Sequence, residues 1–442
     1  MKSQYVTRRE LLKAAGFCAA PVAWRSASAL AQSAGSKARP NIVLIMADDL
    51  GYECLGCYGS TSYRTPALDE LARTGIRFDH GYSQPLCTPS RVQIMTGQYN
   101  FRNYRAFGII DPSQTSFAHL LKNAGYATCV VGKWQLYGSN TEKKESQAKG
   151  SRPEQMGFDE HCLWQVERRE SRYRDPLIVA NGKYRDDLKG RYGPDVFCDY
   201  AVEFLERKKD RPFLLYYPMT LTHAPFVPTP DSADWERRED TPNNKYFADM
   251  VAYMDEVVGR IVKKLDDLGL RENTLILFTG DNGTAHGIRS KLGDRIVRGG
   301  KGRTTNAGTH VPLIASWKGT APSGKVCDDL IDFTDFLPTL AEAAGANVPG
   351  SLTVDGRSFL PQLRGEKGNP REWVFCHYFR NPGDAVRRFA RDKRWKLYDD
   401  GRFYDLQTDP GERQSIGKLT AEMRRVKARF EAVFAKMQGN AG

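Results

Sequence analysis

Short apolar runs recur along this chain, and several of them stop abruptly on polar residues. Asn41 to Ala47 (NIVLIMA) is apolar at successive positions and rich in branched side chains. That pattern predicts a strand buried on both faces, as in a parallel sheet. Asp48 and Asp49 follow at once. Tyr126 to Val131 is a second branched run and delivers Gly132 and Lys133, while Phe213 to Tyr217 (FLLYY) precedes His223. Thr274 to Thr279 (TLILFT) ends at Gly280-Asp281-Asn282-Gly283, and His310 to Trp317 is one more candidate strand.

Helical periodicity lies between these runs. Met250, Met254, Val257, Val258, Ile261, Val262 and Leu265 share one face of a predicted helix from about Asn244 to Leu268. Thr65-Pro66 reads as the N-cap and first helical residue of a shorter helix that stops near Gly75. Phe333, Phe336, Leu337 and Leu340 mark another. Strands alternating with helices predict an α/β layer fold, in which ligands sit beyond the carboxyl ends of the strands. Polar residues that end separate runs are therefore expected to converge.

Two stretches break the pattern. Residues from about Asn140 to Asp195 are polar, arginine-rich and aromatic, and read as long excursions near the mouth of a site. Beyond about Gly345, short strands near Trp373 to Tyr378, Trp395 to Tyr398 and Arg402 to Leu406 precede a final helix, Leu419 to Met437. Met423, Val426, Phe430, Val433 and Met437 stripe that helix, giving a small α+β segment. There is no internal repeat.

Composition adds bounds. With 442 residues, 40% hydrophobic and 27% charged, the chain can bury a substantial core. No run is long and apolar enough to span a bilayer stably. Residues 1–31 read as an export signal. Thr7-Arg8-Arg9-Glu10-Leu11-Leu12-Lys13 resembles a twin-arginine signal, and Ala29-Leu30-Ala31 offers a small-residue cleavage site before Gln32. The alternative is a basic N-terminal tail. Removing the segment takes away Lys2, Arg8, Arg9, Lys13, Arg25 and Glu10, so the formal charge falls from +12 to +8. Such a surface attracts anionic partners. The mature chain has no long basic block or zinc finger, which argues against nucleic acid. Cys54-Leu55-Gly56-Cys57 has metal or redox spacing, but no second pair completes a four-cysteine zinc site. Export permits a disulfide, although the cysteines are too scattered for a disulfide-built scaffold.

The chemistry is expected where the runs end. Asp48, Asp49, Asp281 and Asn282 form a hard, all-oxygen set suited to calcium or magnesium. Around Cys87 the sequence reads Pro85-Leu86-Cys87-Thr88-Pro89-Ser90-Arg91-Val92-Gln93-Ile94-Met95-Thr96-Gly97. By spacing alone Cys87 is a buried thiol, a helix-capping residue or a reactive one. From Cys87 to Gly97 the segment resembles the signature of the formylglycine-dependent sulfatases, of the alkaline-phosphatase-like superfamily. The resemblance runs over roughly Pro40 to Glu412 and takes in NIVLIMADD, GKWQL, THAPF, FTGDNG, GGKG and YDLQTDPGE.

That resemblance implies a large alkaline-phosphatase-like domain at 38–345, with a mostly parallel central sheet flanked by helices, and a smaller C-terminal α+β domain at 346–442. It implies that Asp48, Asp49, Asp281 and Asn282, with modified Cys87, hold a divalent cation, usually Ca2+ and less often Mg2+. Cys87 becomes 3-oxoalanine (formylglycine) through a formylglycine-generating enzyme. Arg91, Lys133, His223 and Lys301 surround the modified side chain and the sulfate, with Gln135 also in contact. One hydroxyl of the aldehyde hydrate attacks sulfur and expels the alcohol, and the second lets the sulfated intermediate collapse. His223 or Lys301 is the candidate proton donor.

Two departures from the family pattern stand out. The family commonly carries Gly-Lys-Trp-His-Leu-Gly where this chain has Gly132-Lys133-Trp134-Gln135-Leu136-Tyr137. Gln135 cannot act as a base or carry charge. His310 stands where an arginine usually precedes Val-Pro, and reads as structural. The leading expectation is a periplasmic or secreted bacterial enzyme that hydrolyses a sulfated carbohydrate or other organic sulfate. The alternatives are a phosphonate or phosphodiester hydrolase, and a catalytically impaired protein that binds sulfated glycans.

Overall fold

Strand β1 (Asn41–Ala47) lies at the centre of the molecule, and its two side-chain parities explain why the whole run is apolar. Val43, Ile45 and Ala47 enter one hydrophobic core, while Ile42, Leu44 and Met46 enter another on the opposite face. No position of the strand faces water, as expected for a strand with helices on both sides. The computed structural model describes Met1 and residues 39–237 and 240–439. Apart from Met1, the expected export signal at 1–31 lies outside the described residues.

In chain order the main elements are α1 (Pro66–Arg73), β2 (Ile76–Tyr82), α2 (Cys87–Thr96), β3 (Ala127–Lys133), β4 (Glu160–Trp164), α3 (Gly193–Arg207), β5 (Phe213–Pro218) and α4 (Tyr246–Asp267). They continue with β6 (Thr274–Gly280), β7 (His310–Ser316), β8 (Lys325–Asp332) and α5 (Phe336–Ala344). The large sheet runs β8-β2-β7-β6-β1-β5-β3-β4, extended by a hairpin of Val179–Ala180 and Lys183–Tyr184. Strands β6, β1, β5, β3 and β4 form an uninterrupted parallel block. The mixed character comes from β7, which is antiparallel to both its neighbours, and from the terminal hairpin. Helices α3 and α4 pack on one face, α2 and α5 on the other.

The predicted helix at about 244–268 is α4, with the expected stripe buried except for half-buried Val262. Thr65 does stand at the N-cap of α1, but its side chain does not cap the helix. Asp255 of α4 does so instead, accepting hydrogen bonds from the amides of Ala67 and Leu68 at 2.8 Å each. This also locks the two helices together. Within the large sheet, β2, β4 and β8 were not among the strands expected from the sequence. The segment read as a polar excursion contains β4 and the terminal hairpin.

A second sheet of four antiparallel strands, β9 (Val374–Tyr378), β10 (Arg387–Arg391), β11 (Trp395–Tyr398) and β12 (Phe403–Asp405), precedes α6 (Ala421–Gly439). Phe430, Val433 and Met437 of α6 are buried against Phe375, Trp395 and Phe403. This sheet buttresses the loop that follows Lys301. Lys396 Nζ donates to the Thr304 carbonyl at 2.5 Å, and Glu412 accepts from the Asn306 amide at 2.6 Å. Among the described residues no helix is long and apolar enough to cross a membrane. The eight described cysteines are all free, and Cys54 lies against the hydroxyls of Thr284 and Ser290 with no metal cluster around it.

Two substitutions test this architecture. Burial pushes the Asp255 carboxyl up to about 6 against the pull of its two amides, so a neutral acceptor is expected to serve nearly as well. Asp255→Ala is expected to cost about 1–3 kcal/mol in chemical denaturation, and Asp255→Asn less than about 1 kcal/mol. Gly132 has φ +111°, and an added Cβ would lie 2.1 Å from the Pro218 carbonyl oxygen. Gly132→Ala is expected to part β3 from β5 next to Lys133, lowering both the melting temperature and turnover, the latter by at least about tenfold.

Candidate functional site

The register of the parallel block assembles the site. Ala47 of β1 pairs with Gly280 of β6, so the next residues, Asp48 and Asp281, emerge side by side. Asp48 also exchanges backbone hydrogen bonds with the segment after β5. Its amide donates to the Leu221 carbonyl, and its carbonyl accepts from the Thr222 amide, both at 2.8 Å. This brings His223 alongside. Lys133 ends β3, opposite Trp164 at the end of β4. Cys87 is the first residue of α2, whose ten residues are all buried.

The sequence-predicted residues converge. Carboxylate oxygens of Asp48 and Asp281 and the Cys87 sulfur lie within 4.8 Å of one another, as do ligand atoms of Asp48, Asp49 and His223. The Asp49 amide donates to Asp281 Oδ1 at 2.9 Å, and Asn282 Nδ2 donates to Asp49 Oδ1 at 2.9 Å. Lys133 Nζ meets Asp48 Oδ2 at 2.7 Å, and Lys301 Nζ meets Asp49 Oδ2 at 2.6 Å. Arg91 donates to the Lys133 carbonyl at 2.6 Å and stands 3.8 Å from Asp281. Cys87 Sγ donates to Gln135 Oε1 at 3.2 Å. His310 stacks on Tyr52, ring centroids 3.9 Å apart, and donates to or accepts from none of these residues.

Electrostatics divides the cluster. Burial raises the Asp48 carboxyl, but Lys133, His223, Arg91 and Lys301 outweigh it and hold the group far below the carboxylate range. Asp49 behaves in the same way, burial being outweighed chiefly by Lys301. Asp281 goes the other way: burial and the Asp48 charge push it well up. Burial also lowers the His223 imidazole to about 3 against the pull of Asp49 and Asp48. Its Nδ1 lies 2.5 Å from the Ala224 carbonyl oxygen and its Nε2 2.9 Å from Lys301 Nζ. The carbonyl requires a proton on Nδ1, which leaves Nε2 to accept from the lysine.

Asp48 Oδ1, Asp281 Oδ2 and Asn282 Oδ1 are buried without a hydrogen-bond partner. Buried oxygens are seldom left so. Three of them, on two carboxylates and an amide, suit a hard divalent cation. Their chemistry fits the ligand set that the sequence predicted.

Other residues here carry no sequence signal. Arg172 reaches the site from the polar excursion, its NH1 3.9 Å from Asp48 Oδ2. Gln165 Nε2 donates to Glu142 at 3.1 Å and to Ser139 at 3.2 Å, next to Gln135. Asp49, Gln135 and Gln165 all have positive φ, at 61°, 51° and 58°. Non-glycine residues avoid that region unless their surroundings enforce it, and such residues cluster at functional sites.

Comparison with known proteins agrees with this geometry. Residues 40–346 match the sulfatase family profile, and residues 303–440 match the profile described as N-sulphoglucosamine sulphohydrolase, C-terminal. The chain is 34% identical to human arylsulfatase A over 377 residues, covering 76% of this chain and 70% of that one. It is 30% identical to mouse steryl-sulfatase over 449 residues, covering 81% of this chain and 70% of the relative. A solved structure of a protein in complex with its substrate, D-glucosamine-2-N,6-O-disulfate, superimposes with a TM-score of 0.73 at 24% identity, covering 91% of this chain and 98% of the other. With the profile matching most of the chain and the acidic and basic residues gathered at one end of the sheet, this chain belongs to the sulfatase family of the alkaline-phosphatase-like superfamily and is a sulfuric ester hydrolase.

Proposed function

We propose that the protein removes sulfate from a sulfated carbohydrate outside the cytoplasm, using formylglycine made from Cys87 and a calcium ion. The ion would be held by Asp48, Asp49, Asp281, Asn282 and the modified side chain. The observation that carries this reading is the set of unpartnered buried oxygens on Asp48, Asp281 and Asn282, within reach of Cys87. The hard donor set suits either calcium or magnesium. The number of protein ligands favours calcium, which takes more oxygens in a more flexible geometry. A twin-arginine signal at 1–31 would carry the chain to the periplasm or beyond. The disulfated glucosamine held by the structural neighbour supports a sulfated sugar as substrate.

An unmodified Cys87 makes a poor nucleophile, because burial pushes its thiol up and keeps it protonated. Its sulfur marks the place that the oxygens of an oxidised side chain would take. When bound, the cation and the aldehyde hydrate supply charge neutralisation and an oxygen nucleophile.

The chain's own residues do the rest. Lys133 and Arg91 fix the sulfate, Arg91 with Nε and NH2 still free to donate. Gln135 offers Oε1 to the side chain at position 87 and orients it without taking its proton. Neutral His223 cannot give a proton from Nε2. Lys301 can, since its ammonium is held charged by Asp49 and sits 2.9 Å from that nitrogen. Lys301 is therefore the donor to the departing alcohol, with His223 as its partner.

The test is production together with a formylglycine-generating enzyme. Mass spectrometry of the Cys87 peptide reports conversion, and sulfate release is followed from aryl sulfates and sulfated oligosaccharides. Phosphate and phosphonate esters of the same alcohols serve as competitors. Cys87→Ala is expected to lose at least about 10³-fold in kcat/KM. Chelation is expected to abolish most of the activity, with calcium restoring it better than magnesium. A fully converted, calcium-loaded protein that releases no sulfate from any of these esters would refute the proposal.

A further inference from the structure

Among the described residues, Arg172 is the one basic group at this site for which neither the signature nor its flanking motifs account. It is only 5% exposed. Its guanidinium lies 3.9 Å from the centroid of the Trp164 ring, which sets the plane of the fork. NH1 is buried with no hydrogen-bond partner, and Asp48 Oδ2, at 3.9 Å, is too far to serve as one. That oxygen already receives Lys133 Nζ at 2.7 Å. A buried guanidinium with an unmet donor is costly, so its acceptor has to arrive with a ligand.

The two adjacent aspartates show where. On Asp49, Oδ2 has one lysine in contact, Lys301 at 2.6 Å, and a second basic side chain standing off, His223 Nε2 at 3.7 Å. On Asp48, Oδ2 has Lys133 in contact and Arg172 standing off. Arg172 thus occupies on the Lys133 side the place that His223 occupies on the Lys301 side. Trp164, on which it stacks, is the register partner of Lys133.

We infer that Arg172 is a sulfate-binding residue, donating from the Asp48 side to a non-bridging oxygen of the same sulfate group that Lys133 contacts. The inference rests on the sulfatase reading of the site. A guanidinium suits the role, since its planar fork can engage two oxygens of one tetrahedral anion. It would also return to the pocket a positive charge that neutral Gln135 cannot provide.

The experiment compares the converted full-length protein with Arg172→Met, which keeps the stem against Trp164, and with Arg172→Lys. Inorganic sulfate is the probe, its affinity read by calorimetry and by competitive inhibition, next to kcat and KM for one sulfate ester. Loss of a charge-assisted contact predicts about 10- to 100-fold weaker sulfate binding in Arg172→Met. A parallel fall in kcat/KM and partial recovery in Arg172→Lys are expected. If the methionine variant does not fold, the lysine variant carries the test, with a loss of at least about threefold expected from the missing fork. A folded variant that binds inorganic sulfate as tightly as the wild type overturns the inference. So does one that weakens only oligosaccharide binding, which would assign the guanidinium to another substituent of the sugar. Failure of the wild type to hydrolyse any sulfate ester would refute the sulfatase reading alone, and the sulfate-binding comparison would still decide the role of Arg172.

Discussion

The parallel register of β1 against β6 imposes the constraint to which the rest of the site answers. It sets Asp48 beside Asp281, with Asp49 next in the chain, and all three carboxylates are buried. Like charges so close in a medium of low dielectric must take up protons or be matched by cations. The protein does both. Asp48 and Asp49 each have a lysine in contact and stay ionised, whereas Asp281, with only Arg91 at 3.8 Å, is pushed toward its protonated form. The oxygens left unpartnered lie where this balance is incomplete, which is where the proposed cation would complete it.

Much of this was legible because the sequence marks strand ends by an abrupt change from apolar to polar. NIVLIMA-DD and TLILFT-GDNG predicted β1 and β6 together with their acids, and the branched run before Gly132-Lys133 predicted β3. Strands β2, β4 and β8 escaped for one physical reason. Each carries polar side chains that interrupt its apolar run, such as Arg77, Asp79 and His80 in β2 and Glu160 and His161 in β4. Strands β2 and β8 also lie toward a margin of the sheet where burial is incomplete. Periodicity sees burial, and it loses sight of strands that are not fully covered. The cap of α1 shows a different limit. Thr65 stands at the expected position, yet a carboxylate 190 or so residues away does the capping, and no local pattern encodes that.

The site itself divides along the same line. Residues on strand ends or within the cysteine segment were predicted and do converge. Arg172, Gln165 and Glu142 were not, since they stand in the polar region between Asn140 and Asp195, where one arginine or glutamate looks like any other. What singles them out is tertiary: the stacking of Arg172 on Trp164, and the contact of Gln165 with Glu142. The part of the site contributed by the polar region is therefore its least legible part, while the sheet edge that holds the acids can be read directly.

Replacing histidine by Gln135 changes what this part of the pocket can do. A histidine offers a nitrogen that either gives or takes a proton, whereas an amide presents a fixed acceptor and a fixed donor. Gln135 Oε1 accepts from the Cys87 side chain, so the amide nitrogen faces away, toward the region of Glu142 and Gln165. That end of the pocket thus orients the side chain at position 87 but stores no proton. Across the site, His223 is kept neutral by burial with its Nδ1 proton committed to a carbonyl, and it too has none to give from Nε2. Lys301, in contact with Asp49 at 2.6 Å and with His223 Nε2 at 2.9 Å, carries a proton on that side of the site. In the proposed mechanism proton delivery thus falls on the Asp49 side of the pocket, and the Asp48 side, with Lys133 and Arg172, would hold the anion still.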